Sequence, residues 1–255
     1  MKKVLALAVC FIFLSGIECF AEFDKKHSFE LGTEVSYIKN EYGSDIEEWS
    51  GTLYGLAGAY TFRDEYMIRL EGRASLGEVD FESQSSGSAD GIDDYILEIR
   101  GLIGYDFAPS LESTLTPYIG IGNRYLNDDM ANMSNIPGFE REVNYVYVPI
   151  GAELMYDNTY LDKGWVFGTR AEYDLLWEGE DKGSGYKVKL DRGDGDGAYR
   201  FSFRAIRRFE NIDLIIEPFY RYWNVEKSKS VTDRNTNIER KSKSDESGIK
   251  LMVRF

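Results

Sequence analysis

The chain has 255 residues and a formal net charge of −14 at pH 7, from 44 acidic and 30 basic side chains. Such a polyanion is a poor partner for nucleic acid, because protein affinity for nucleic acid depends on Lys and Arg contacts to phosphates. Its 18 Tyr, 15 Phe and 25 Gly with only 5 Pro are typical of many strands joined by tight turns.

The amino terminus has the layout of a secretory signal peptide. A basic start is followed by an apolar run over 4–17 and by small residues before a cleavage point. The run is too short to span a bilayer as a helix, which takes roughly 20 residues. We therefore expect a signal peptide at 1–21 and a mature, exported domain at 22–255. Cys19 offers a lipoprotein alternative, although Glu18 beside it is unusual for a lipidated signal.

The mature domain would have neither disulfides nor a transmembrane helix. Both cysteines, Cys10 and Cys19, lie in the predicted leader, so disulfides and thiolate metal sites are excluded. No later apolar stretch is long enough for a spanning helix. If the mature chain crosses a membrane, it must do so as a closed barrel, because lipid offers no hydrogen-bond partner to open strand edges.

Ten segments of the mature chain alternate apolar and polar residues with a period of two. They are 27–39, 49–62, 66–76, 95–107, 115–126, 143–156, 165–177, 199–205, 212–222 and 248–255. In the third segment, Ile68 and Leu70 share one face while Arg69 and Glu71 share the other. Strands of membrane-spanning barrels have this pattern, with apolar side chains facing lipid and polar ones facing the lumen. A single segment of this kind also fits a half-buried strand of a soluble sandwich.

The links between these segments alternate between short and long. The short links are 63–65, 108–114, 157–162 and 209–211, and the long polar links are 40–48, 80–94, 127–142, 179–197 and 226–247. Bacterial barrels have tight turns at the periplasmic rim and long loops at the outer rim. The sequence therefore predicts an all-β fold, an antiparallel up-and-down transmembrane β-barrel of about ten strands, with eight or twelve as alternatives. Pro149 and Pro218 fall inside predicted strands, where we expect a bulge or the nearness of a rim.

Two motifs carry a resemblance to a known group of proteins. With the predicted export signal, "TPYIGIGNRYL" at 116–126 and the closing "IKLMVRF" at 249–255 resemble the small outer-membrane β-barrel proteins of Gram-negative bacteria. That group includes opacity-type adhesins and the transmembrane domain of outer-membrane protein A, and the resemblance covers the whole mature chain. It implies an outer-membrane location, with membrane lipid, lipopolysaccharide and the barrel-assembly machinery as partners. In that group the machinery reads a final strand that ends in an aromatic residue, so the assembly signal would be Ile249, Leu251, Val253 and Phe255.

The predicted lumen faces carry opposite charges in near balance. They are Glu30, Glu34, Arg69, Glu71, Arg73, Glu98, Arg100, Arg124, Glu153, Arg170, Glu172, Arg200, Arg204, Glu217, Arg221 and Arg254. Buried ions are tolerated only when they are paired, and the planar guanidinium can bridge carboxylates on neighbouring strands. Because barrels of about eight strands are filled by side chains and those of sixteen or more leave a channel, we expect a plugged lumen. A narrow channel for small solutes is the alternative.

Catalytic residues are hard to find in this sequence. The only histidine, His27, lies at the periplasmic start of the first predicted strand, and a catalytic site needs more than one matching group. We therefore expect no enzymatic activity and no cofactor, and an outer-membrane enzyme is the third alternative. The expected role is structural or surface-interacting, through the outer loops and with an extracellular or host ligand.

Two of the long links have compositions that suggest ligands. The sequence "DRGDGDG" brings Asp191, Asp194 and Asp196 together among glycines, which makes a weak Ca²⁺ candidate because carboxylates are the ligands that Ca²⁺ prefers. It lacks the spacing of a helix-loop-helix calcium site, which favours a plain acidic turn. The last link, 226–247, is rich in Lys and Arg and has the charge to contact lipopolysaccharide phosphates.

Overall fold

The computed structural model describes residues 26–42, 47–83, 87–129, 140–157, 164–183, 186–190, 196–225, 231–233, 236–238 and 242–255. The predicted signal peptide and Asp191 and Asp194 of the calcium candidate lie outside these ranges. The described residues form the strands β1 (His27–Tyr42), β2 (Glu47–Arg63), β3 (Tyr66–Ser83), β4 (Gly87–Tyr105), β5 (Phe107–Ser110), β6 (Ser113–Asp129), β7 (Glu140–Asp157), β8 (Trp165–Gly183), β9 (Tyr186–Leu190), β10 (Gly197–Arg208), β11 (Asp213–Val225), β12 (Val231–Asp233), β13 (Thr236–Ile238) and β14 (Ser242–Arg254). No helix within these ranges is long and apolar enough to cross a bilayer.

Ten long antiparallel strands close into a barrel. Their order around the wall is β1, β2, β3, β4, β6, β7, β8, β10, β11 and β14. β14 pairs with β1, and both meet at one rim, where Phe29 and Phe255 exchange two backbone hydrogen bonds of 3.2 and 2.9 Å. The short strands β5 and β9 extend the wall beside β6 and β8, and β12 pairs with β13. The predicted antiparallel β-barrel of ten strands is confirmed.

Exposed apolar side chains surround the half of the barrel that carries the short turns. They include Leu31, Val35, Leu56, Ile68, Leu70, Leu97, Ile99, Ile119, Ile121, Ile150, Leu154, Phe201, Phe203, Leu214, Ile216, Ile249 and Leu251. We call this band the belt. Tyr66 and Tyr105 flank it at the rim of the short turns, and Tyr37 and Tyr95 flank it toward the other end. A band of this kind, edged by aromatic residues, is the outer surface of a barrel that sits in lipid.

Beyond the belt the strands continue with their faces exchanged. On β3 the outward residues after Leu76 are Glu78 and Asp80, whereas the inward residues Val79 and Phe81 are buried at 1% and 6% exposure. The same exchange occurs around the barrel in a region that we call the outer extension. It comprises 38–42, 47–53, 77–83, 87–94, 126–129, 140–147, 176–183, 197–198, 222–225 and 242–246.

The outer extension corrects the predicted loops. The long links predicted at 80–94 and 179–197 are largely strand, since β3 continues to Ser83 and β4 begins at Gly87. Gly87 and Gly91 have φ of 88° and 72°, a left-handed conformation that glycine adopts without a steric penalty. The prediction of long loops was wrong here because polar outward residues and glycines were interpreted as signs of irregular structure.

The two prolines that the sequence analysis placed inside strands do lie there, Pro149 in β7 and Pro218 in β11. Pairing between β6 and β7 lapses opposite Pro149, and pairing between β10 and β11 lapses opposite Pro218. Proline has no N–H to donate, so each one leaves a short gap in the ladder. The expectation of a bulge or a rim was wrong for Pro218, which lies in mid-strand; β7 has a register shift close to Pro149.

Candidate functional site in the lumen

The middle of the lumen is filled by charged side chains. The structure places all sixteen predicted lumen residues on inward faces, with fourteen buried and Glu71 and Arg254 partly exposed. Asp174, Glu246 and Lys250 also point into this region. We call these nineteen side chains the ionic layer. Because the strands alternate with a period of two, the inward positions follow from the outward positions of their neighbours along each strand.

Arg73 on β3 is one centre of the ionic layer. Its guanidinium donates to Glu98 at 2.8 Å, to Glu34 at 2.8 Å and to Glu246 at 2.7 Å. Arg221, on the far side of β14, donates to Glu246 at 3.0 Å and to Glu34 at 3.2 Å. Two arginines therefore link carboxylates from β1, β4 and β14, with all five side chains buried. Bidentate and bridging geometry of this kind is the strongest form of ion pairing in proteins.

A second centre crosses the barrel from β10 to β4. Arg200 donates to Glu98 and to Asp174, and the Tyr147 hydroxyl donates to Glu98 at 2.6 Å. Arg100 on β4 donates to Glu172 on β8. Opposite walls are thus tied through the lumen rather than only through neighbouring strands.

The part of the ionic layer nearest the short turns is equally well paired. Arg69 contacts Glu30 at 3.0 Å, Arg170 contacts Glu153 at 3.0 Å, and Lys250 contacts Glu217 at 2.9 Å. Further contacts in this part include Arg204 with Glu30 and Glu217, Arg170 with Glu71, and Arg254 with Asp213 at the rim. Paired in this way, the buried charges avoid the large desolvation penalty of isolated ions.

Some lumen residues were not found from the sequence. Glu246 lies within the link predicted at 226–247, so its inward position was invisible before β14 was seen to begin at Ser242. The sequence analysis also assigned no lumen role to Tyr118 and Tyr147. In the structure, each hydroxyl donates to a buried carboxylate. Each of these rings lies over an inward glycine, Tyr147 over Gly122 and Tyr118 over Gly151, where a Cβ would clash with the ring. In both cases the inward glycine is the direct cross-strand partner of the inward tyrosine on the adjacent strand, and this pairing is the sequence signal for the packing.

Apolar side chains close the lumen on both sides of the ionic layer. Toward the outer rim lies the apolar cap, made of Ile38, Trp49, Leu53, Val79, Phe81, Ile92, Ile96, Leu126, Val143, Tyr145, Tyr147, Leu176, Ala198, Trp223 and Val225. Toward the short turns lie two smaller clusters, Val166, Ile206, Ile215 and Met252, and Met67, Leu102 and Tyr118. A cavity of about 60 Å³ remains within the ionic layer. It accommodates only a few water molecules, since one water occupies about 30 Å³ in the liquid.

The other predicted sites have little support from the described residues. Asp196 is buried at 1% exposure, and the described ranges hold no group of three or more His, Cys, Asp or Glu side chains arranged for a metal ion. His27 contacts the Tyr60 hydroxyl at 2.7 Å near the rim of the short turns. In the last strand, Ile249 and Leu251 face outward at 42% and 54% exposure. The assembly signal that the resemblance implies for this strand stays a prediction.

Comparisons with known proteins find distant similarity to solved structures but no related sequence. No protein-family model and no curated protein sequence matches the chain. Among solved structures, the outer membrane protein OprG of Pseudomonas aeruginosa is 14% identical, with a TM-score of 0.41 over 91% of this chain and 97% of that one. The translocator domain of the autotransporter NalP of Neisseria meningitidis is 10% identical, with a TM-score of 0.42 over 98% and 96%. The toluene transporter TodX of Pseudomonas putida is 11% identical, with a TM-score of 0.38 over 91% and 89%.

The pairing of its own strands places the chain in the class of closed antiparallel β-barrels. At these identities and TM-scores, nothing that those three proteins bind or transport extends to this chain. The finer resemblance to opacity-type proteins and to outer-membrane protein A stays a prediction.

Proposed function

We propose that this protein is a non-conducting integral barrel of the outer membrane that works by holding its outer extension and loops outside the cell. One observation carries the proposal, namely that the lumen is filled along its length by the apolar cap, the ionic layer and the smaller apolar clusters. The belt requires hydrocarbon around it, because a closed barrel with an apolar outside is stable in lipid and would aggregate in water. A leader at 1–21 supplies the export that this location needs.

The parts available to partners lie beyond the belt. Outward side chains of the outer extension are mostly acidic, among them Glu78, Asp80, Glu82 and Asp93. On this proposal, the barrel contacts membrane lipid and lipopolysaccharide through its wall, and the outer extension and its loops meet an extracellular ligand. The barrel-assembly machinery is the partner proposed for the terminal strand. The proposal assigns no catalytic role to any of the described residues, and it includes no enzymatic activity.

Single-channel recording in a planar bilayer tests the closed lumen. We expect the purified protein to show no steady conductance, because a cavity of about 60 Å³ cannot connect the two rims. A variant with Tyr147→Ala, Trp223→Ala and Arg200→Ala removes side chains that cross the lumen and should show frequent openings if it inserts. Steady openings of the unaltered protein that change with Arg124→Ala or Glu153→Ala would instead establish the narrow channel.

Cysteine labelling of intact cells tests the location and orientation. The predicted mature domain contains no cysteine, so Asp80→Cys in the outer extension and Glu210→Cys in the exposed turn between β10 and β11 introduce single thiols. A membrane-impermeant maleimide should label Asp80→Cys on intact cells and should reach Glu210→Cys only after lysis. Labelling of Glu210→Cys alone on intact cells would contradict the orientation, and recovery of the protein free of membrane would contradict the location.

A further inference from the structure

Two buried carboxyl groups face each other in the outer extension. Asp94 on β4 and Asp128 on β6 are direct cross-strand partners, and each is 2% exposed. Both side chains point into the lumen, where Ile96 and Leu126 form the next pair below them. The carboxyl pair is therefore embedded in the apolar cap that closes the outer end of the lumen.

The nearby cations are occupied elsewhere or make no hydrogen bond. Arg141 on β7 donates to both carboxylate oxygens of Asp181, at 3.1 and 2.7 Å. Arg124 on β6 is fully buried, and its closest ionic contact is Glu246 on β14 at 3.8 Å. Within the described residues, the guanidinium nitrogens of Arg124 donate to no acceptor. No N–H or hydroxyl group of these residues donates to either carboxyl oxygen of Asp94.

Two buried carboxyl groups on directly opposed residues do not both stay ionised. Like charges in one low-dielectric site raise the free energy of the doubly charged state, so that one group takes up a proton. A shared proton also turns the repulsion into a hydrogen bond, because a carboxylic acid donates to a carboxylate. Among the described residues, the charged groups that act on the pair are Arg124, Arg141, Asp181 and Glu246, two of each sign. Their charges sum to zero, so within this part of the chain they do not offset the negative charge of the pair.

We propose that Asp94 and Asp128 share one proton, and that this proton latches the outer ends of β4 and β6 and keeps the apolar cap closed. Loss of the proton at alkaline pH leaves two adjacent carboxylates inside the cap, which forces β4 and β6 apart or admits water between them. The closed barrel thereby gains a pH-sensitive outer end. The inference goes beyond the proposed function, since it concerns the cap itself and holds wherever the barrel resides.

The direction of the titration agrees with this geometry. The pair lies outside the belt, whose last outward residue on β4 is Tyr95. Burial is the largest cause that raises the pKa of Asp128 to about 6. Burial, followed by the charge of Asp128, holds the pKa of Asp94 well above its usual range. Because the folded state then binds more protons than the unfolded chain, the contribution of the pair to stability is lost as the pH rises through about 6 and beyond.

Infrared difference spectroscopy tests the shared proton directly. The spectrum of the unaltered protein minus that of an Asp94→Asn/Asp128→Asn variant should contain the carbonyl band of a protonated carboxylic acid at about pH 5, and this band should vanish at alkaline pH. The matched control is Asp93→Asn, an exposed neighbour on the outward face of β4, which should leave the band unchanged. Absence of the band from this difference spectrum at about pH 5, with a double variant that keeps the β-sheet amide band of the unaltered protein, would overturn the proposal. If the double variant does not fold, the pH dependence of hydrogen exchange in the unaltered protein decides the matter.

Hydrogen exchange tests the latch. After correction for intrinsic exchange rates, protection of the amides at 92–96 and 126–128 should fall at least about tenfold between about pH 5 and about pH 9. The double asparagine variant should lose this pH dependence, whereas Asp93→Asn should keep it. All samples contain a chelator, except for one parallel set to which calcium is added. Unchanged protection in the unaltered protein, or a pH dependence that the double variant retains, would refute the latch, as would an effect seen only after calcium is added.

Discussion

The belt and the outer extension are parts of the same strands with opposite arrangements of polarity. On β3, Leu70 faces outward and Arg69 inward within the belt, whereas Glu78 faces outward and Val79 inward in the outer extension. In hydrocarbon an apolar outer face has no cost, and the inner face is then free to hold ions that pair across the lumen. In water the outer face must be polar, and stability comes from burying apolar side chains inside. The surroundings of the wall therefore determine what fills the lumen.

The two regions should fail in different ways when they are altered. The ionic layer depends on matched pairs, so that removing one partner leaves a buried charge behind. The apolar cap depends on buried area and packing, so that its losses scale with the volume removed. Substitutions placed on the two sides of one strand can separate these forces.

The largest effect is expected from Arg73→Met in the ionic layer. The substitution leaves Glu34, Glu98 and Glu246 with fewer cations, and breaking a buried pair in this way costs about 3–5 kcal/mol of unfolding free energy. Urea unfolding of the barrel in lipid vesicles, followed by tryptophan fluorescence, measures the loss. Adding Glu246→Gln removes one of the carboxylates that lost a cation and should recover part of this free energy. A loss below about 1 kcal/mol would show that these carboxylates are stabilised by hydrogen bonds to water instead of by ion pairs.

The next effect is expected on the lipid side of the belt. Ile99 on β4 faces outward with 56% exposure, and Ile99→Arg should cost about 2–4 kcal/mol, the penalty for arginine near the middle of a bilayer. The control is Asp93→Arg, on the same face of the same strand but in the outer extension. Its cross-strand partners are Glu78 and Asp129, so the arginine should cost nothing and should stabilise by up to about 1 kcal/mol. If the two substitutions changed the unfolding free energy equally, the boundary assigned here between the belt and the outer extension would be wrong.

A smaller effect should separate buried apolar packing from contact with lipid. Ile38 is fully buried in the apolar cap, so Ile38→Val should cost about 0.5–1.5 kcal/mol through the lost methylene. Ile99→Val removes the same atoms where lipid chains can fill the space, and it should change the unfolding free energy by less than about 0.5 kcal/mol. The same urea titration compares them. A larger loss at Ile99 than at Ile38 would mean that the cap is loosely packed.

The belt could be predicted from the sequence because its two faces contrast strongly. Ile68, Arg69 and Leu70 show the alternation within three residues, and closure of the barrel follows because lipid tolerates no open edge. The partners across the lumen could not be predicted. Arg73 and Glu246 are 173 residues apart in sequence, and their meeting depends on the closed wall and on the stagger of its strands.

The outer extension was hidden for a different reason. Its alternation continues the strand pattern with the polar face outward, and Glu78 and Asp80 stand near Gly77, Gly87 and Gly91, a composition that also favours loops. Only the pairing of β3 with β4 distinguishes the two. A period of two that persists while its polarity reverses would have been the signal for a strand that leaves the membrane.

The smallest effect is expected where the outer extension opposes like charges. Glu48 on β2 is the direct cross-strand partner of both Glu41 on β1 and Glu82 on β3, and like charges directly opposite each other destabilise a sheet. Glu82→Lys replaces one repulsion with an attraction and should stabilise the barrel by about 0.2–1 kcal/mol at low salt. Glu82→Gln, which removes the charge alone, should give a smaller gain. Added salt should shrink the gain of the lysine variant because these side chains are exposed to solvent, and a gain that persists at high salt would indicate that the lysine acts through packing instead of through charge.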